Sequence, residues 1–234
     1  NGRRLALIIN EFGDLGVDGE ILKGCGEATC SAEDVLELTN GCLCCTVADD
    51  FVPTLEMLLD RPEPPDHIII ETSGLALPKP LVKAFQWPEV RSRTTVDGVI
   101  AMVDGPAVSS GLFAADPDRV DTQRREDQAL DHESSLEELF EDQLAFADLV
   151  IIGKSDLMAD DDELEVREIV EKETRDQVKA LSAVHGRLDP ALVLGLSRAV
   201  EDEVDRRFSH HDAEEGDHDH DNFDSLVFEV DAIA

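Results

Sequence analysis

The sequence predicts an α/β fold in which a mostly parallel sheet is flanked by helices. Short apolar runs recur along the chain and are bounded by polar turns, as buried strands are. Segments with leucine and phenylalanine at helical spacing lie between these runs. Strands that alternate with helices are typical of parallel sheets covered on both faces. Ligands of such sheets bind beyond the carboxyl ends of the strands, so a functional site is expected there.

The individual elements follow from the same patterns. The stretch "EFGDLGVDGEILKGCG", residues 11–26, has five glycines in 16 residues and is predicted to be a loop. A helix is predicted over 46–60, with Pro53 in its first turns. The run "PDHIIIET" has the composition of a fully buried strand. The predicted strands are 3–10, 34–40, 65–72, 95–105, 147–156 and 177–184; further helices are predicted at 132–147 and 161–176, with two short helices in 189–208.

The charge of the chain excludes several classes of partner. Asp and Glu number 54 against 20 Lys and Arg, which gives a formal net charge of −34. Such a surface repels nucleic acid and anionic lipid, so neither is an expected partner. No apolar run reaches the roughly 18 residues that a membrane span requires. Only six of the basic residues are lysines, and an acidic, lysine-poor surface suits a high-salt cytoplasm in which counter-ions screen the repulsion between carboxylates. The sequence is therefore consistent with a halophilic source and with an ordinary acidic enzyme.

Three of the five cysteines lie within four positions, directly after Gly41: Cys42, Cys44 and Cys45. These three cysteines are too close in the sequence to form ordinary disulfide bonds with one another, which fits a reducing, cytoplasmic location. Thiolates bind zinc, cobalt(II) or copper(I), and a set of three leaves a coordination position open, as transfer requires. The alternatives are small buried side chains, a redox role, or a permanent structural zinc site.

Polar residues at other strand ends form further candidate sites. Glu71 ends the run "HIIIE", and Gly74 follows three residues later. The carboxylate can hold a magnesium ion and the glycine N–H can face a phosphoryl oxygen. The alternative is an ordinary turn after a strand. Glu11 and Asp14 follow the first strand, in a loop that could equally be a solvated turn. The histidines of the acidic segment 209–222 could collect metal weakly or belong to a charged spacer.

The stretch "IIGKSD" imitates a phosphate-binding loop, but such a loop needs glycine at the position of Asp148. We predict a base-recognition loop instead. In that interpretation Asp156 accepts the N–H groups of a guanine edge, and the stem of Lys154 lies along the ring.

Taken together, the segments resemble the CobW family of P-loop GTPases, relatives of HypB and UreG. The similarity is carried by "INEFGDLGVDGEIL", "ELTNGCLCCTV", "IIIETSGLALPKPLV", "VDGVIAMVD" and "GKSDL", in family order. The wording of the first three segments, with "DHES" and the His/Asp-rich stretch, resembles the cobalamin-biosynthesis branch of that family. The implied fold is P-loop NTPase-like, of the SIMIBI type. The implied domains are a GTPase domain at 1–208, a linker at 209–222 and the start of a C-terminal domain at 223–234.

The resemblance implies a GTP-dependent metallochaperone that binds Mg²⁺ and delivers cobalt(II) for corrin synthesis. Its implied partners are GTP and a cobaltochelatase, with a homodimer as candidate assembly. A zinc chaperone of the same family is the alternative, because thiolates prefer zinc. The implied site residues are Cys42, Cys44 and Cys45 for the metal, Glu11 and Asp14 in the first switch, Glu71 and Gly74 in the Walker B and second switch, and Lys154 and Asp156 for guanine.

Two departures from the family pattern alter these expectations. The Walker A loop and the first strand should lie before Asn1, so this stretch alone is expected to bind GTP poorly and to hydrolyse it negligibly. Gly153 stands where the guanine loop usually has Asn, and the missing side-chain hydrogen bonds should lower guanine affinity more than selectivity.

Overall fold

The computed structural model describes residues 4–10, 35–38, 51–114, 116, 120, 122 and 135–207. Helices and strands alternate through these ranges, as the sequence predicts. No helix in the described ranges combines the length and the apolar character that a bilayer crossing demands.

All six strands of the described ranges pair in parallel, in two sheets of three. In the first sheet β1 lies between β2 and β3, and in the second β5 lies between β4 and β6. The register aligns the carboxyl ends: Asn10 lies opposite Leu38, and Asp104 lies opposite Gly153. The strands are β1 (Leu5–Asn10), β2 (Val35–Leu38), β3 (His67–Glu71), β4 (Ile100–Asp104), β5 (Leu149–Gly153) and β6 (Lys179–Ser182).

The three long predicted helices are confirmed within the described residues, where they cover Val52–Leu59, Leu136–Phe146 and Asp160–Glu173. Pro53 lies in the first turn of its helix, where the missing N–H leaves no bond unmade. The two helices predicted in 189–208 are wrong: the region holds three short 3₁₀ turns, Pro190–Leu192, Val200–Asp202 and Val204–Arg206. The α-helices whose bounds lie within the described residues are α1 (Val52–Leu59), α2 (Pro78–Ala84), α3 (Pro88–Arg91), α4 (Gly105–Ser109), α5 (Leu136–Phe146) and α6 (Asp160–Glu173).

Burial differs sharply among the strands. β5 is buried from Leu149 to Ile152, because it pairs on both edges and is covered by helices. β3 was predicted to be fully buried, yet Ile69 is 42% exposed, and Met102 of β4 is 66% exposed. Each of these two strands pairs with one neighbour within the described part of the chain, so its other edge contributes no covering there. Apolar composition alone does not report this missing neighbour.

Two apolar clusters hold the helices against the sheets. Beneath β1, Ile8 packs with α1 and with Phe51 and Phe85, whose rings meet edge to face at 5.6 Å. Behind β5, Val150 and Ile152 pack with residues of α5 and α6. These contacts fix the strand ends, and therefore the loops that follow them.

A buried ionic cluster joins the end of the described domain to β5. Asp148 accepts from both terminal nitrogens of Arg207, at 3.1 and 2.8 Å, and from Arg175 at 2.9 Å. It also accepts from the backbone N–H of Val99 at 3.0 Å. The Arg207 guanidinium lies over the Phe146 ring, 5.0 Å from its centroid. The residue that breaks the phosphate-loop pattern is thus a structural anion of the core.

Candidate functional site

A cavity of about 580 Å³ lies beyond the carboxyl ends of β4 and β5. Its walls come from three segments: the end of β4, the loop after β5 and the turn after β6. Two backbone hydrogen bonds hold the last two segments together, from Ala183 N to the Ile152 carbonyl at 2.8 Å and from Ser155 N to the Ala183 carbonyl at 3.3 Å. These hydrogen bonds fix the wall of the cavity on the side of β6.

Lys154 forms one wall of this cavity and has a left-handed backbone conformation, with φ of 56°. Its ammonium contacts the Asp104 carboxylate, with Nζ and Oδ2 2.6 Å apart. Asp104 is the last residue of β4, and its other carboxylate oxygen accepts from the Ala107 N–H at 3.3 Å, at the start of α4. The lysine stem thus reaches across the mouth of the loop, from β5 to β4.

Asp156 lies in the 3₁₀ turn Ser155–Leu157 and also lines the cavity. Its side chain is 29% exposed, and the Nε2 of His185 lies 3.8 Å from its Oδ2. A carboxylate here has lone pairs for two N–H donors of a bound molecule. A lysine stem and an acceptor therefore face one cavity of a size suited to a heterocycle.

Two glycines at this edge have different steric roles. A Cβ on Gly105 would come within 2.5 Å of the flexible end of Met158 and within 3.0 Å of the Gly153 carbonyl, so α4 lies close to the end of β5 and a larger residue at 105 would need a small shift there. A Cβ on Gly153 would meet the Val103 carbonyl at 3.5 Å, an ordinary contact. The structure therefore has room for a side chain at 153.

The turn after β3 is the second candidate site. Glu71 ends this strand opposite Ile9 of β1. The Nε2 of Gln143, on α5, donates to the carbonyls of Gly74 at 2.9 Å and Ala76 at 3.1 Å, which holds the turn in place. A Cβ on Gly74 would have nothing within 4 Å, so the described structure leaves that side of the turn open.

The predicted site residues are distributed unevenly over these two places. Lys154 and Asp156 line one cavity, whereas Glu71 and Gly74 belong to the strand end of the other sheet. The remaining predicted site residues, Glu11, Asp14, Cys42, Cys44 and Cys45, lie outside the described residues. Within the ranges that are described, no group of three His, Cys, Asp or Glu is placed to hold a metal ion.

The sequence analysis overlooked three residues at these sites. Asp104 could have been selected from the sequence, because it ends an apolar strand as Glu71 does. His185 and Gln143 had none, because their importance rests on contacts with residues distant in the chain.

Comparison with known proteins adds family information to this geometry. Residues 1–182 match the family model described as "CobW/HypB/UreG, nucleotide-binding domain". The chain is 54% identical over 237 residues to a protein of Sinorhizobium sp named "Zinc chaperone CobW", covering all of this chain and 67% of that protein. It is 55% identical over 217 residues to a Pseudomonas aeruginosa protein of the same name, covering 91% of this chain and 58% of the relative.

A more distant relative is the Schizosaccharomyces pombe "Zinc-regulated GTPase metalloprotein activator 1". It is 29% identical over 191 residues, covering 81% of this chain and 41% of that protein. The chain thus spans between about two fifths and two thirds of the length of these relatives.

Proposed function

Because this chain belongs to the CobW/HypB/UreG family of nucleotide-binding domains, we propose that it is the nucleotide-binding part of a GTP-dependent zinc metallochaperone. The observation that carries the nucleotide part is the cavity at the carboxyl ends of β4 and β5, where Lys154 and Asp156 face the same space.

The chemistry of this cavity favours guanine over adenine. The Asp156 carboxylate accepts hydrogen bonds and, when ionised, donates none. Guanine presents two adjacent donors, at N1 and N2, on its Watson–Crick edge, whereas adenine presents an acceptor at N1. An adenine base would therefore set a lone pair against a carboxylate. The Lys154 stem adds an apolar surface for the flat ring.

The turn after β3 is the proposed phosphate side of the site. Gly74 has an open side on which an oxygen could approach its backbone, and Gln143 holds the turn from behind. Glu71 and, from the first switch, Glu11 and Asp14 would supply acidic oxygens to a Mg²⁺ ion. When bound, this ion would neutralise charge that develops on the transferred phosphoryl group.

We propose that a further parallel strand fits between β3 and β4. β3 and β4 are each the last strand of their sheet, with one edge that carries no partner among the described residues, and Ile69 and Met102 of these strands are exposed. An apolar strand edge left uncovered favours aggregation, so native sheets cover or pair such edges. The first strand and Walker A loop expected from the family resemblance would occupy this position and bring the phosphates between the two sites.

The proposed cargo is zinc, held by Cys42, Cys44 and Cys45 as thiolates. The family resemblance implies cobalt, with zinc as the alternative. The names of the two bacterial relatives support zinc. Three thiolates suit zinc, with one coordination position left for a ligand from the recipient. Delivery of cobalt to a cobaltochelatase has no comparable support.

Coupling of metal and nucleotide follows from the shared strand ends. β2 precedes the three cysteines in the sequence, and its last residue, Leu38, lies opposite Asn10 of β1, the strand that also pairs with β3. We propose that the γ-phosphate orders the loops at this edge and tightens the thiolate site, and that hydrolysis loosens it. Metal should then tighten GTP binding as much as GTP tightens metal binding.

A competitive zinc titration of the full-length protein, with Mg²⁺–GTP, with Mg²⁺–GDP and without nucleotide, tests this proposal. A dissociation constant that is lowest with GTP supports it, and a matched Cys42→Ser variant should lose the difference. Equal zinc affinity in all three conditions contradicts the coupling. A zinc ion that leaves only when the domain unfolds would favour a structural site instead.

A further inference from the structure

The backbone conformation of Lys154 is unusual for its residue type. A φ of 56° places it in the left-handed region, which is unfavourable for a residue with a Cβ. Such a conformation persists only where the surroundings hold it. The clearest such contact of the described structure is the ion pair from Lys154 Nζ to Asp104 Oδ2, at 2.6 Å.

Asp104 is itself firmly placed. It ends β4 opposite Gly153, and its Oδ1 accepts from the N–H of Ala107. The helix that it caps lies close to the end of β5, since a Cβ on Gly105 would come within 3.0 Å of the Gly153 carbonyl. The Asp104 side chain is 23% exposed against 54% for Lys154, so the carboxylate is the fixed partner and the lysine the adjustable one.

We infer that Asp104 is a positioning residue for base recognition, which acts by holding the Lys154 stem along the wall of the cavity. The inference rests on the proposed guanine site. It assigns a role that the neighbouring residue cannot provide, because Gly153 has no side chain with which to brace the loop. The juxtaposition joins two strand ends that are 50 residues apart in the chain.

A thermodynamic cycle on the full-length protein tests this inference, with fluorescently labelled GDP as the probe. The variants are Asp104→Asn, Lys154→Met and the double variant. Asn is also a good helix N-cap, so the first variant removes the charge and keeps the cap. Met keeps an apolar stem without the ammonium. Loss of this partly exposed ion pair is expected to weaken GDP binding by about two- to fivefold.

The expected result is strong non-additivity. If Asp104 acts through Lys154, then Asp104→Asn should have no further effect once Lys154 is Met. Asp189→Asn is the matched control, because Asp189 also caps a short helix, through the Ala191 N–H at 2.9 Å, and lies outside the cavity lining. It should leave GDP affinity unchanged.

The outcomes separate the two proposals. If the unmodified protein binds GDP and the penalties of the two single variants add, Asp104 does not position Lys154, and the inference is overturned while the guanine site stands. If the unmodified protein binds neither GDP nor GTP, the proposed function itself fails. Thermal unfolding shows whether each variant is folded. Asp104→Ser, which also keeps a cap, replaces Asp104→Asn if that variant is unfolded.

Discussion

Arg207 and Asp148 form a bidentate ion pair inside the domain, with their side chains 2% and 3% exposed. The pair is extended by Arg175 and by the backbone of Val99, so the Asp148 carboxylate has donors on several sides. Replacing Arg207 removes its two hydrogen bonds and leaves the buried Asp148 carboxylate with only Arg175 and the Val99 N–H as donors. For Arg207→Met we therefore expect a loss of about 1.5–3 kcal/mol in the free energy of unfolding.

Urea unfolding measures this loss, and Arg91→Met is the matched control. Arg91 also pairs with an aspartate, Asp202, but both side chains are more than half exposed. Its replacement should cost less than about 1 kcal/mol. Similar losses in the two variants would contradict a structural role for the buried pair.

Gly153→Asn should be tolerated and should strengthen guanine-nucleotide binding. A Cβ at 153 meets its nearest neighbour at 3.5 Å, and the backbone there lies outside the left-handed region. The added amide can hydrogen bond to the loops of the cavity, at about 0.5–1.5 kcal/mol for each bond formed. Calorimetric titration with GDP checks the gain. An unfolded variant, or an affinity below that of the parent, would show that the loop is built for glycine.

Asp156→Asn should exchange guanine for xanthine. Xanthine has a carbonyl at the position of the guanine amino group, so the amide N–H of Asn can donate where the carboxylate would repel. We expect GDP binding to fall by at least about tenfold and xanthosine diphosphate binding to rise. Competition of the two nucleotides on one protein sample measures the change. An unchanged ratio would remove Asp156 from the base site.

Gln143→Ala should loosen the turn that carries Gly74. Its amide nitrogen ties two carbonyls of that turn to α5, and the alanine variant leaves both without this donor. We expect a stability loss of about 1–2 kcal/mol and faster hydrogen exchange at the amides of residues 73–76. Gln86→Ala is the control, because Gln86 donates to the Glu201 carbonyl, away from the turn. Equal exchange at 73–76 in both variants would contradict this link.

Lowering the pH should remove the contribution of Asp97 to the free energy of unfolding. Burial alone would raise the pKa of this carboxyl, but the backbone N–H groups of Ser197, Gly195 and Leu196 lower it below its ordinary value of 3.8. A depressed pKa in the folded state means stability that is present above the unfolded pKa and is lost as the pH falls through the folded value. Asp97→Ala should thus be destabilised by about 1–3 kcal/mol at pH 7.

The difference between Asp97→Ala and the parent should shrink as the pH falls below about 4. Urea unfolding at a series of pH values from 7 downward measures it. A difference that stays constant to the lowest pH would mean that the carboxylate form is not what the three N–H groups hold.

The sequence predicts the fold where local pattern and burial agree. "LVIIG" is apolar throughout and is buried from Leu149 to Ile152, so its assignment as a buried strand is confirmed. The three short helices α2, α3 and α4 were missed, since each begins with or near proline and is too short for a helical period. The half-exposed face of β3 was also missed, because exposure depends on which strand lies beside it.

The same division applies to the candidate site. Lys154 and Asp156 lie in the loop after β5 and line one cavity, and their nearness follows from the sequence because strand ends and the loops after them are local properties. Whether they recognise guanine stays a prediction, as do the roles of the cysteines and of Glu71. Asp104 and Arg207 could not be assigned from the sequence, since their partners lie 50 and 59 residues away.

The edge of β4 that has no partner among the described residues has a practical consequence. A short apolar ribbon with unused hydrogen-bonding groups can recruit an identical ribbon from another molecule, so any preparation in which this side stays bare should grow cloudy on concentration. A soluble peptide with alternating valines, added in excess, would then act as a cap and keep the sample clear.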